Sequence, residues 1–136
     1  MRITTKGRYA LRAIITLARM GEKGNPVSIK TLAEAEGLSP VFLEQIFFGL
    51  RRAELVRSVR GPGGGFALAK PVASITLRQI MEAAGEGLDI TPCTCGKNDE
   101  CERRSTCSAE SVWQALGDHM NSYLDSINLA DIARQA

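Results

Sequence analysis

The 136-residue chain has one histidine, His119, one tryptophan, and aromatic residues at only 5%. With a single histidine there is little from which to assemble a Ser-His-Asp set, and no HxxxH pair follows the cysteines. No CxxC pair occurs, and the one glycine-rich stretch lacks the GxxxxGK[ST] pattern of a phosphate loop. Nothing in this inventory points to catalysis, so the chain is not expected to be an enzyme. No apolar run approaches the roughly 20 residues of a membrane span. Arg12 and Arg19 interrupt the N-terminal segment MRITTKGRYALRAIITLARM, which does not read as a signal peptide. The expected location is cytoplasmic, without a membrane partner. At 44% hydrophobic and 24% charged, the composition is that of an ordinary folded domain.

The net charge of +2 conceals a division. Residues 1–70 carry 12 Lys+Arg and 5 Asp+Glu, or +7; residues 71–136 carry 5 and 10, or −5. A basic half beside an acidic half suggests that the first meets a polyanion. All four cysteines fall in TPCTCGKNDECERRSTCSAE, as Cys93, Cys95, Cys101 and Cys107. In a cytoplasmic chain such a cluster points to metal before disulfides.

Helix signals dominate the first half. Thr5 is placed to cap a helix over 6–20, stopped by Gly21. Ser28 opens a short helix over 29–36, closed by Gly37. Ser39 and Pro40 are strong start signals for a third helix. It buries Leu43, Ile46, Phe47 and Leu50 and leaves Val41, Glu44, Gln45, Phe48, Arg51 and Arg52 on its other faces. The runs 55–59 and 66–69 are strand-like, and Arg60-Gly61-Pro62-Gly63-Gly64-Gly65 makes the tip of a hairpin between them. Thr76 and Gln79 form a capping box for a helix to about 84. A long helix is expected over about 108–127. Its apolar residues Ala109, Trp113, Leu116, Met120, Tyr123 and Ile127 lie at spacings of 4, 3, 4, 3 and 4. Asn128 with Asp131 can cap a last short helix.

This order of elements predicts a mainly α fold: a winged helix-turn-helix domain with a small β-hairpin wing over 1–84, a cysteine-rich loop over 85–107, and a long helix with a C-terminal helix over 108–136. The third helix would enter the major groove of double-stranded DNA with Ser39, Val41, Glu44 and Gln45 leading. Gln can bond adenine and Glu can accept from cytosine, although the same residues suit a solvated face. Arg60 on the glycine-rich tip would enter the minor groove. Lys6, Arg8 and Tyr9 are candidate phosphate contacts, Tyr9 being equally suited to the core. Cys95, Cys101 and Cys107 are separated by five residues each. Three soft thiolates suit an iron–sulfur cluster, zinc or Cu(I). Reactive thiols or a redox disulfide are the alternative. His119 is expected to be structural.

MRITTKGRYALRA, the block LSPVFLEQIFFGLRRAELVRSVRGPGGGFALAK and the three spaced cysteines resemble the IscR-like winged-helix regulators, the family of IscR, NsrR, RirA and CymR. The resemblance covers essentially the whole chain. It implies a homodimeric transcription regulator, paired through its long C-terminal helix and binding a DNA operator. It also implies a 2Fe–2S cluster on the loop before that helix, with Cys95, Cys101 and Cys107 as ligands. Ser39, Glu44, Gln45 and Arg60 match DNA-contacting positions of the family, and Lys6 and Tyr9 are carried over with them. Where IscR has a histidine ligand this chain has Glu110, and where NsrR has an acidic residue it reads Lys6-Gly7-Arg8. The fourth ligand is then Glu110 or Cys93, and the extra cysteine also admits a 4Fe–4S cluster. Zinc on the same cysteines, or direct sensing of oxidants by the thiols, is the alternative; a small electron carrier is a more distant one.

Overall fold

A computed structural model describes residues 2–91, 93 and 101–135. In chain order the regular elements are α1 (Thr5–Met20), α2 (Ile29–Glu36), α3 (Pro40–Arg52), β1 (Val56–Val59), β2 (Gly65–Leu68), α4 (Leu77–Ala83), α5 (Glu110–Ser126) and α6 (Leu129–Gln135). The expected mainly helical winged-helix fold is present, with the helices at or within two residues of their expected bounds.

Two starts differ from expectation. The N-cap of α1 is Thr4, not Thr5: Thr4 is extended, and its Oγ1 accepts from the Gly7 N–H at 3.3 Å. Glu86 reinforces that choice, since its carboxylate accepts from both the Thr4 N–H (3.1 Å) and the Thr4 hydroxyl. The long helix begins at Glu110 instead of Ser108, behind an Ala109 cap that has no side-chain bond. The other caps follow the sequence signals. Ser28 accepts from Thr31 N–H, Ser39 from Phe42 N–H, and Thr76 with Gln79 completes its box. Asn128 Oδ1 accepts from Asp131 N–H at 2.9 Å. Gly37 takes the left-handed conformation (φ +66°) that ends α2 and turns the chain into α3.

α1 is the hub. It packs against α2, α3, α4 and α6, and buries Ala10, Ala13, Ile14 and Leu17. α3 adds Leu43, Ile46, Phe47 and Leu50, as its spacing requires. Leu129 of α6 is also fully buried in this core, so the chain's last helix returns to the first. Each such leucine or isoleucine contributes about 1.5–3 kcal/mol relative to exposure. Among the described residues no helix is long and apolar enough to cross a membrane.

β1 and β2 pair antiparallel, from Val56 opposite Leu68 to Val59 opposite Gly65. Val27, ahead of α2, adds a bridge: its N–H donates to Phe66 O (2.8 Å) and its carbonyl accepts from Phe66 N–H (2.9 Å). Gly65 sits at this junction with φ +152°, and a Cβ there would land on the Val27 carbonyl. Gly65→Ala is therefore expected to destabilise the protein by about 1–3 kcal/mol in chemical denaturation, because backbone and not a flexible side chain must yield.

Candidate nucleic-acid interface and cysteine loop

The capped start of α3 stands clear of the core. Val41 is 67% exposed, and Ser39, Glu44 and Gln45 are exposed beside it. Glu44 and Gln45 have no hydrogen-bonding partner among the described residues, so their polar atoms are free for an incoming ligand. The Ser39 oxygen is already engaged as the cap acceptor, which leaves its hydroxyl hydrogen to donate. Behind this face, Phe47 meets Phe66 of β2 at 4.9 Å between ring centroids. That contact sets the wing against the same helix.

Arg60 is exposed on the wing loop and has no partner among the described residues. The loop turns through a Gly64 N–H bond to Gly61 O at 2.9 Å. Arg57 on β1 donates to the Gly24 carbonyl (3.4 Å), and Arg51 donates to Ser58 Oγ (3.5 Å). Lys6 and Arg8 are exposed on the first turn of α1. Tyr9 is packed partly into the core. Its ring is partly buried edge-on against Phe42 at 5.9 Å, with the Arg12 guanidinium 5.3 Å from its centre. Arg12 also pairs with Glu36 at 2.9 Å, which neutralises an acidic residue of the basic half.

The cysteine loop leaves α4 through Glu86, a buried carboxylate tied to the α1 cap. Cys93 is partly buried, with Sγ 2.8 Å from Thr91 Oγ1, and its carbonyl accepts from Gln114 Nε2 of α5 at 2.6 Å. Cys101 is partly buried and Cys107 exposed. Cys95 lies outside the described residues. Among the described residues no three His, Cys, Asp or Glu side chains are grouped as a metal site.

Glu110, the first residue of α5, forms an ion pair with Arg104: Nε donates to Oε1 at 2.7 Å. The bond from Arg104 to Glu110 raises the arginine pKa above its usual value, partial desolvation opposes it, and the negative forms of Glu110, Cys93 and Cys101 add to the rise. Arg104 is thus a cation paired with the candidate carboxylate at the end of the cysteine loop. The sequence showed an arginine beside the cysteines but not its partner, because Arg104 and Glu110 meet only once the 3-10 turn at Arg104–Thr106 is formed.

A capped helix presented outward from a helix-turn-helix, braced by a two-stranded wing and bordered by exposed cations, defines a winged-helix DNA-binding protein. A family model described as Rrf2, an iron-dependent transcriptional regulator, matches residues 3–135. A Neisseria meningitidis protein that carries a helix-turn-helix-type regulator name is 42% identical over 135 residues, covering 99% of this chain and 89% of that protein. The regulator IscR of Escherichia coli is 39% identical over 132 residues, covering 97% and 80%. The structure of CymR, the global cysteine regulator of Bacillus subtilis, matches with a TM-score of 0.78 at 32% identity, covering 100% of this chain and 98% of that one. The chain belongs to the Rrf2 family: it is a DNA-binding transcriptional regulator, and the relatives' names are those of regulators, not enzymes. With +7 on residues 1–70, its affinity for duplex DNA in a salt titration is expected to fall by roughly 0.9 log units per log of salt for each phosphate neutralised.

Proposed function

We propose that the protein is a homodimeric repressor or dual regulator whose DNA binding responds to iron–sulfur status, redox state or nitric oxide through a cluster held on the cysteine loop. α3 supplies the groove contacts through Ser39, Val41, Glu44 and Gln45. Arg60 enters the minor groove, and Lys6 and Tyr9 meet phosphates. Cys95, Cys101 and Cys107 hold a 2Fe–2S cluster with Glu110 as fourth ligand; Cys93 in that role would give all-thiolate ligation.

The observation that carries this reading is the Arg104–Glu110 ion pair at the head of α5, which sets a carboxylate and a cation at the end of the cysteine loop. The donor set fits an iron–sulfur group by type: soft thiolates for iron, a carboxylate three residues past Cys107, and a cation to offset the negative charge. Such a group, when bound, supplies a centre reactive toward oxidants and nitric oxide. The protein's own part is positional. Arg104 holds Glu110 in place and must release it if that carboxylate becomes a ligand. Gln114 ties the Cys93 carbonyl to α5, and Glu86 ties the start of the loop to the cap of α1, two residues from Lys6. Rearrangement of the loop therefore reaches the DNA-facing end of α1 through hydrogen bonds, and this shifts the population of binding-competent dimers.

Pairing rests on α5. Within one chain it buries only Gly117, and Trp113 (38%), Leu116 (42%) and Tyr123 (61%) of the apolar seam are exposed. Exposed apolar residues aligned in this way support the reading of α5 as an interface. Replacing Met120 and Tyr123 together with charged residues is expected to give monomers by light scattering, and an unchanged dimer mass would refute the assignment.

The test of the cluster is the visible spectrum of anaerobically purified protein. Bands between roughly 320 and 600 nm are expected from thiolate-ligated iron, and alanine at Cys95, Cys101 or Cys107 should remove them. If Glu110→Ala bleaches the protein and Cys93→Ala does not, the fourth donor is the carboxylate; the reverse result assigns it to Cys93. A colourless protein containing zinc would replace the cluster with a zinc or thiol sensor on the same loop.

A further inference from the structure

The largest apolar side chain on the outer face of α3 is Phe48. It is 52% exposed, although Phe47 beside it is fully buried. Val41, Gln45, Phe48 and Arg52 follow one another at intervals of four, three and four, so they form one stripe on the side of the helix opposite the core. Phe48 is also held in place. The guanidinium carbons of Arg51 and Arg52 lie 5.9 and 5.8 Å from its ring centre. Two cations against one ring restrict its rotamers and still leave about half of the residue open to solvent. The ring lines a shallow groove of about 560 Å³ shared with Lys6 of α1, Gln45, Gly49 and Arg52, with Glu82 on the rim. Glu82 is paired with Arg78 at 3.0 Å, so the uncompensated charge of the groove is positive.

We propose that Phe48 is a specificity-determining residue that reads thymine in the operator, through contact of its ring edge with the thymine 5-methyl group. The assignment rests on the reading of α3 as the groove-binding helix. An aromatic edge can form no hydrogen bond with a base edge, and the thymine methyl is the apolar feature that the major groove offers. Phe48 stands seven residues past Val41, about 10 Å along the helix at 1.5 Å per residue. It therefore addresses a different base step from the residues at the helix start. The cations of the groove attract the phosphates on either side of that step, which presses the strand toward the ring. DNA is the occupant that matches both parts of this surface: an anionic strand for Lys6 and Arg52, and a methyl group between them.

The experiment is parallel selection of duplexes from a randomised pool by the wild-type protein and by Phe48→Ser, followed by affinity measurements on the selected duplex with thymines replaced singly by uracil. Wild type is expected to select a thymine that Phe48→Ser does not require. Removing that methyl should weaken wild type roughly fourfold per contact, as for one buried carbon, and leave Phe48→Ser unchanged. Phe48→Leu, which keeps an apolar tip, should retain most of the preference; thermal melting of each variant monitors its folding. If wild type and Phe48→Ser select the same sites and respond alike to uracil, the proposal is overturned. It is equally overturned if Phe48→Ser weakens every duplex by the same factor. Enrichment of no duplex by wild type would remove the groove-binding reading of α3 itself, and the role of Phe48 with it.

Discussion

Everything that faces outward on this protein is aimed by what α3 hides. Leu43, Ile46, Phe47 and Leu50 fill one side of that helix completely. In a close-packed interior they leave it almost no freedom to roll about its axis. The polar and apolar residues of the opposite side are therefore presented at a set angle. The wing shares this constraint, because Phe47 touches Phe66 and the Phe66 backbone is bonded to Val27. Helix and hairpin are held by one patch of core, so they meet a ligand as a unit.

How much of this was legible in the sequence depended on range. The starts of α2, α3 and α4 and the stops at Gly21 and Gly37 were readable because caps act over three or four residues. The hairpin was readable from its glycine-rich tip. The displaced start of α1 was not, since two threonines compete for the cap and the deciding partner, Glu86, is 82 residues from Thr4. The return of α6 to the core was hidden for the same reason: Leu129 looks like any helical leucine until its neighbours are known. At the interface, Val41 and Gln45 followed from position on the helix. The exposure of Phe48 followed from the same spacing, which puts Phe47 and not Phe48 in the buried set; the two guanidinium groups against its ring had no such signal.

The cysteine loop shows the same contrast. Its candidate ligands were plain from composition and spacing. Its electrostatics were not, because Arg104 selects Glu110 from several nearby acids only after the chain has turned. The pair is about one-third exposed on each side, so it contributes little to stability. Its effect is on which charges sit where: it fixes a cation and a carboxylate at the point where the loop meets α5.

The two ends of α5 are attached with unequal strength. At its C-terminal end the chain is fastened by backbone bonds, Leu77 N–H to Ile127 O at 2.9 Å and Leu129 N–H to Ile75 O at 2.7 Å, and by the burial of Leu129. Toward its N-terminal end, among the described residues, it is joined to the loop by side-chain bonds, from Gln114 to the Cys93 carbonyl and from Arg104 to Glu110. Seventeen residues make an arm of about 25 Å. A rod anchored at one end and lightly tethered at the other behaves as a lever with its hinge near Ile127. By the geometry of such an arm, a tilt of about 5° carries the cysteine end through about 2 Å, close to the reach of a hydrogen bond, while the hinge end barely moves. Small changes in the loop would thereby make or break individual bonds at the N-terminal end of α5, without disturbing the core that holds α3.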